Sequence, residues 1–165
     1  MCYAGSSEVR ARPRYMDVGD AISLTEQARN LGATELHPFF TADPFTYPDL
    51  QDLLHTAARL NMKTVLYTNG AALDEPALRS LLRYPMVDLV FSLEAVTPET
   101  YAKIRPGLDF DTVVTNILRA IKLAPMTWNL RLNAVQLAGI NDHEITQLCE
   151  SWSLHKRLQI TIVPN

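Results

Sequence analysis

Short apolar segments of strand length recur along this chain, each separated from the next by a stretch with helical periodicity. This alternation limits the fold more than any other feature of the sequence. The clearest strand covers residues 87–93, Val-Asp-Leu-Val-Phe-Ser-Leu, an almost unbroken apolar run. Such a run belongs to a strand covered on both faces. Further strands are predicted at residues 36–40, 64–67, 130–136 and 158–163. Between them apolar residues return every third or fourth position, as in Leu50, Leu53, Leu54, Ala57 and Ala58, and in Phe110, Val113, Val114, Ile117, Leu118 and Ile121. A helix over residues 18–31 precedes the first strand, with Gly32 where a left-handed stop is wanted.

Local signals fix the helix boundaries. Pro48 and Asp49 are expected in the first turn of the second helix, and Asp74 with Pro76 opens the third. Thr97-Pro98-Glu99 starts a short helix, and Asn141 with Glu144 has the spacing of a capping box ahead of Ile145, Leu148, Cys149 and Trp152. Consecutive strands joined by helical crossovers are parallel, and the crossovers are right-handed. The fold class is therefore α/β, a partial TIM-type (βα) barrel of about five parallel strands with crossover helices, with residues 1–165 forming one domain. The sequence opens on a polar loop and a helix and closes on a strand, so both sheet edges are expected to be open, as in a piece or a remnant of a larger barrel.

The charge balance argues against some partners. A net charge of -3 gives no bulk attraction to nucleic acid or to an anionic membrane. The basic cluster Arg10, Arg12 and Arg14 reads as a solvated loop or a phosphate contact. No apolar run approaches the roughly 18 residues that span a bilayer, and Met1-Cys2-Tyr3 begins no signal peptide, so a cytoplasmic location is expected. Cys2 and Cys149 do not suggest a disulfide in that compartment.

In a parallel barrel the loops leaving the C-terminal strand ends share one face, where ligands are held. Those ends carry Asp43, Thr68, Asn69, Ser92, Glu94, Asn133, Gln136 and Asn165. Any one of them is also explained as a cap or a turn residue, but together they favour a site. His37 reads as a core or rim residue, and His55 and His143 as solvent-facing or capping. Tyr101, Lys103 and Arg105 on one short helix contact an anionic ligand or form a solvated face. Cys149 falls on an apolar face and reads as packing. No zinc-ligand spacing, Ser-His-Asp order or glycine-rich phosphate loop is present, and no side chain is assigned a catalytic role. The lysines lie before strands or on crossovers, which disfavours a Schiff-base lyase or aldolase.

The succession TADPFTYPDL, KTVLYTNGAALDE and VDLVFSLEAVTPETYAKIRPGLDFDTVVTNI resembles the radical S-adenosylmethionine (SAM) superfamily, in the branch acting on peptides and related substrates. Thr41-Ala42-Asp43-Pro44 stands where the family has Gly-Gly-Glu-Pro, which holds the SAM methionyl amino group. Thr68-Asn69-Gly70 matches the family's Thr-Asn-Gly, and Ser92-Leu93-Glu94-Ala95 is similar to its Ser-Leu-Asp-Gly. The resemblance implies a SAM site using Asp43, Thr41, Ala42, Asn69, Ser92, Glu94 and Asn133, and a peptide or protein substrate. It implies a [4Fe-4S] cluster that cleaves SAM reductively to a 5′-deoxyadenosyl radical, for hydrogen abstraction. Cys2 resembles the last cysteine of the family's Cys-x3-Cys-x2-Cys cluster motif, the first strand and first two cysteines lying outside this sequence. Three thiolates hold such a cluster, and one does not. Thr41 and Ala42 replace glycines that allow close backbone approach, and Asp43 is one methylene shorter than Glu. Two readings follow, a radical SAM core and a degenerate, non-enzymatic barrel that binds a partner or peptide.

Overall fold

Every neighbouring strand pair in the sheet is parallel, and the strands lie side by side in the order of the sequence. The computed structural model describes residues 15–38 and 42–164. Cys2, Arg10, Arg12, Arg14, Phe39, Phe40, Thr41 and Asn165 lie outside them. The order is α1 (Val18–Asn30), β1 (Glu35–Leu36), a short 3-10 turn (Pro44–Thr46), α2 (Leu50–Arg59), β2 (Lys63–Thr68) and α3 (Glu75–Leu81). Then come β3 (Val87–Ser92), α4 (Pro98–Ile104), α5 (Phe110–Leu123), β4 (Asn129–Gln136), α6 (Ile145–Ser153) and β5 (Leu158–Pro164). This is the expected partial barrel of five parallel strands.

The pleat separates two kinds of face. Leu66, Leu89, Phe91, Leu130 and Leu132 share one face and join Leu54, Leu78, Ile117 and Leu148 of the helices in a single core. The opposite face carries Lys63, Asp88, Ser92, Asn129, Arg131, Asn133 and Thr161. Asp88, the one charge inside the most apolar strand, is 5 % exposed. Its carboxylate accepts from Asn129 Nδ2 at 2.7 Å, Arg131 Nη2 at 2.9 Å and Lys63 Nζ at 3.4 Å. Lys63 also pairs with Glu35 at 2.6 Å, so charges on four strands compensate one another across the open face.

Several local expectations change in the folded chain. The strand expected over residues 36–40 is formed at Glu35–Leu36, and it has ended before Pro38, whose nitrogen cannot donate to a ladder. Helix α2 starts at Leu50, leaving Pro48 and Asp49 in the preceding turn. Leu24 and Leu31 of the first helical pattern are exposed, because α1 buries its Ala21 and Thr25 side. The capping box is not formed: Glu144 is itself the N-cap of α6, without a side-chain cap bond. Its carboxylate and the Asn141 amide are used at the rim of the sheet instead.

Candidate functional site

The C-terminal strand ends meet on one rim, and Asp43 joins two of them. Its Oδ2 accepts from Thr68 Oγ1 at 2.7 Å and from the Asn69 amide at 2.8 Å, while Oδ1 accepts from the Phe45 amide at 3.1 Å. Burial pushes the Asp43 carboxyl up from its ordinary value, partly offset by the Thr68 hydroxyl, the two amides and the nearby Arg105 guanidinium. Gly70 completes the turn after β2 at φ +82, a conformation that favours glycine. The Gly70 carbonyl accepts from the buried Asn116 of α5 at 2.9 Å, which ties the turn to the helix layer.

The loop after β3 is held just as firmly. Leu93 N donates to Asn133 O at 3.1 Å, and Asn141 Nδ2 donates to the carbonyls of Glu94 at 2.6 Å and Val135 at 2.9 Å. Glu144 accepts from the amides of Val96 and Thr97 and from the hydroxyls of Thr97 and Thr100. Burial alone would raise the Glu144 carboxyl, but these four donors outweigh it and hold it below the ordinary glutamate value. The loop therefore presents Glu94 in one fixed orientation. Glu94 is 3 % exposed and takes Arg105 at the end of α4 by a two-pronged pair, Nε to Oε2 at 3.1 Å and Nη2 to Oε1 at 2.5 Å.

Of the residues singled out from the sequence, Asp43, Thr68 and Asn69 are brought into direct contact. Ser92 and Asn133 are register partners on the open face, one residue short of the loop that carries Glu94. Ala42 is exposed beside Asp43, and Gln136 is the last paired residue of β4, opposite Pro164. Thr41, Asn165 and Cys2 lie outside the described residues. His37 sits at the end of β1 with its Nε2 at 3.0 Å from Glu35, and His143 is exposed. Lys103 faces solvent, but Tyr101 is wholly buried and Arg105 is paired, so these three do not form the solvated helix face that was one of their two readings. Cys149 is half-buried on α6 rather than enclosed. A cavity of about 420 Å³ opens beside Asp43, lined by Tyr15, Met16, Leu36, Pro44 and Tyr47 among others.

Asn141 and Glu144 are the rim residues that sequence reasoning misplaced. Their capping-box spacing concealed a longer reach to the β3 loop, which no local pattern reveals. Asp88 did carry a signal, since a lone charge in an apolar strand needs partners when buried.

Comparison with known proteins gives consistent results. The chain is 29% identical over 136 residues to a PqqA peptide cyclase of Gluconobacter oxydans, covering 81% of this chain and 37% of that protein. It is 31% identical over 114 residues to a GTP 3',8-cyclase of Acaryochloris marina, covering 64% of this chain and 33% of that protein. It thus spans about a third of the length of these relatives. Among solved structures, Streptococcus suis SuiB bound to S-adenosylmethionine superposes with a TM-score of 0.77 at 18% identity, over 93% of this chain and 35% of that one. Archaeal TYW1 superposes at 0.57 with 14% identity, over 86% of this chain and 50% of that one. The radical SAM superfamily profile matches residues 1–151, and with a match of that extent this chain belongs to the radical SAM superfamily.

Proposed function

We propose that this chain forms the SAM-facing part of a radical SAM enzyme core whose substrate is a peptide. The observation that carries the reading is the Asp43 carboxylate, fixed at the rim by Thr68 and Asn69 beside the pair of Glu94 and Arg105. The methionyl end of SAM brings an ammonium and a carboxylate. Among the described residues Asp43 has three donors on about four acceptor positions, which leaves one on Oδ1 for an ammonium. The Arg105 side chain is 26% exposed and is the cation nearest in character to a carboxylate receptor. The Tyr101 hydroxyl, buried one helical turn before Arg105, has no hydrogen-bond partner among the described residues. The residues present therefore fit the amino-acid end of SAM. When bound, SAM supplies the 5′-deoxyadenosyl group that family chemistry turns on a substrate C–H bond.

The residues present do not fit the cluster. The 165 residues contain two cysteines, and three thiolates are required. Cys149 is on α6, and among the described residues no group of three His, Cys, Asp or Glu converges as metal ligands do. No step through a cluster is derived from these side chains. The peptide class is supported by the PqqA peptide cyclase relative.

Calorimetric titration of SAM into the protein tests the reading, with the Asp43→Asn variant alongside. Saturable binding that weakens by about tenfold or more in the variant is expected, the magnitude of one charge-assisted contact. Absence of SAM binding ends the proposal. The replacement of the family's Gly-Gly-Glu by Thr41-Ala42-Asp43 favours a second reading, a barrel that binds a peptide or partner without catalysis. Anaerobic reconstitution with iron and sulfide decides against that reading if the chain takes up about four irons.

A further inference from the structure

Tyr101 is buried to 0% exposure on α4, its ring packed on Phe110 with centroids 5.5 Å apart. Among the described residues its hydroxyl has no hydrogen-bond partner, a rare condition for an enclosed polar group. Tyr101 belongs to the buried core, and the charges that bear on its phenol are Arg105, then Glu94, then Asp43. Burial pushes it up to about 12, so at neutral pH it is a donor. Tyr101 and Arg105 are one helical turn apart, the Arg105 amide donating to the Tyr101 carbonyl at 2.8 Å.

The two halves of the neighbouring ion pair differ in access. Glu94 is 3 % exposed, whereas the Arg105 side chain is 26% exposed. A ligand reaches the guanidinium and not the carboxylate. A ligand carboxylate arriving at Arg105 competes with Glu94 for the planar fork, and a buried carboxylate that loses its donors needs others. Among the described residues, the buried donor without a partner on that helical turn is the Tyr101 hydroxyl.

We propose that Tyr101 is a positioning residue of the rim, holding a reserve donor that takes over Glu94 when Arg105 turns to the carboxylate of a bound α-amino acid group. This rests on the reading of the rim as the SAM site, and it adds to that reading a partner exchange that selects for the ligand carboxylate.

SAM and decarboxylated SAM, titrated by calorimetry into the wild type and Tyr101→Phe, test it together with the melting temperature of each protein without ligand. The wild type is expected to prefer SAM by about tenfold, and Tyr101→Phe to lose that preference through weaker SAM binding alone. The ligand-free variant is expected to melt no lower than the wild type, because the hydroxyl it lacks has no partner there. Glu94→Gln/Arg105→Gln, which removes both charges together, is expected to lose the preference as well. An unchanged preference in Tyr101→Phe, or equal wild-type affinity for the two ligands, overturns the exchange while leaving the SAM site standing. A lower melting temperature with both ligands weakened alike shows a merely structural tyrosine and also overturns it. A wild type that binds neither ligand defeats the SAM reading itself, and the exchange with it.

Discussion

The Thr68 hydroxyl donates to the Asp43 carboxylate across 2.7 Å, linking the loop after β1 to the end of β2. The same oxygen takes the Asn69 amide at 2.8 Å, so this one carboxylate sets both the position of the Asp43 loop and the start of the Thr-Asn-Gly turn. A group fixed in this way is preorganised for a ligand and also contributes to the fold. Substitutions there are expected to show in both measurements.

Asp43→Ala leaves the Thr68 hydroxyl and the Asn69 amide without their acceptor. It is expected to cost about 1–3 kcal/mol in urea unfolding, besides the loss of SAM affinity. Because Asp43 has its carboxyl raised in the folded state, its ionisation opposes folding. Its contribution to stability is present at acid pH and is lost as pH rises through the folded value. Wild type is therefore expected to lose stability relative to Asp43→Asn as pH rises above the ordinary aspartate range. A flat difference between the two across that range would refute it.

Glu144 has the opposite sign. Its folded carboxyl lies below the ordinary glutamate value, so its contribution is full above that value and fades as pH falls through the folded one. Glu144→Ala removes the acceptor of two amides and two hydroxyls and is expected to cost about 2–3 kcal/mol near neutral pH. The gap between wild type and variant should close in acid, measured by denaturant unfolding at several pH values.

Asp88→Ala leaves Lys63 and Arg131 facing each other without their shared carboxylate. Both cations retain partial access to solvent, so a loss of about 1–3 kcal/mol is expected rather than the larger cost of a sealed pair. SAM affinity should barely change, since Asp88 is the second residue of the strand whose other end carries Ser92. A large drop in SAM binding with intact stability would place the site on the wrong end of the sheet.

Gly70→Ala forces a side chain into φ +82 and brings its Cβ to 3.4 Å from Val113 Cγ1. A destabilisation of about 1–2 kcal/mol is expected from the left-handed backbone, read as a lower melting temperature. Wild-type stability in that variant would show that the turn relaxes freely.

The order of elements and the faces that α2 and α3 bury were legible in the sequence, because both follow from repeats of two and of three to four residues, whereas α1 exposes Leu24 and Leu31 of its expected face. The strand-end residues Asp43, Thr68, Asn69, Ser92 and Glu94 were legible too, since parallel strands carry all their C-terminal ends to one rim. What the sequence could not decide is which of these groups touch. Asn141 and Glu144 looked like partners of each other three residues apart, yet both reach across about 40 to 50 positions of chain to the β3 loop. Tyr101, Lys103 and Arg105 looked equivalent on one short helix, and packing separated them into a buried phenol, a solvated amine and a paired guanidinium. Periodicity is a property of neighbours along the chain, and so the sequence by itself determined the layers and the rim. The pairing of charges and donors at that rim depends on contacts between strands and loops far apart in sequence, and only the tertiary structure decided it.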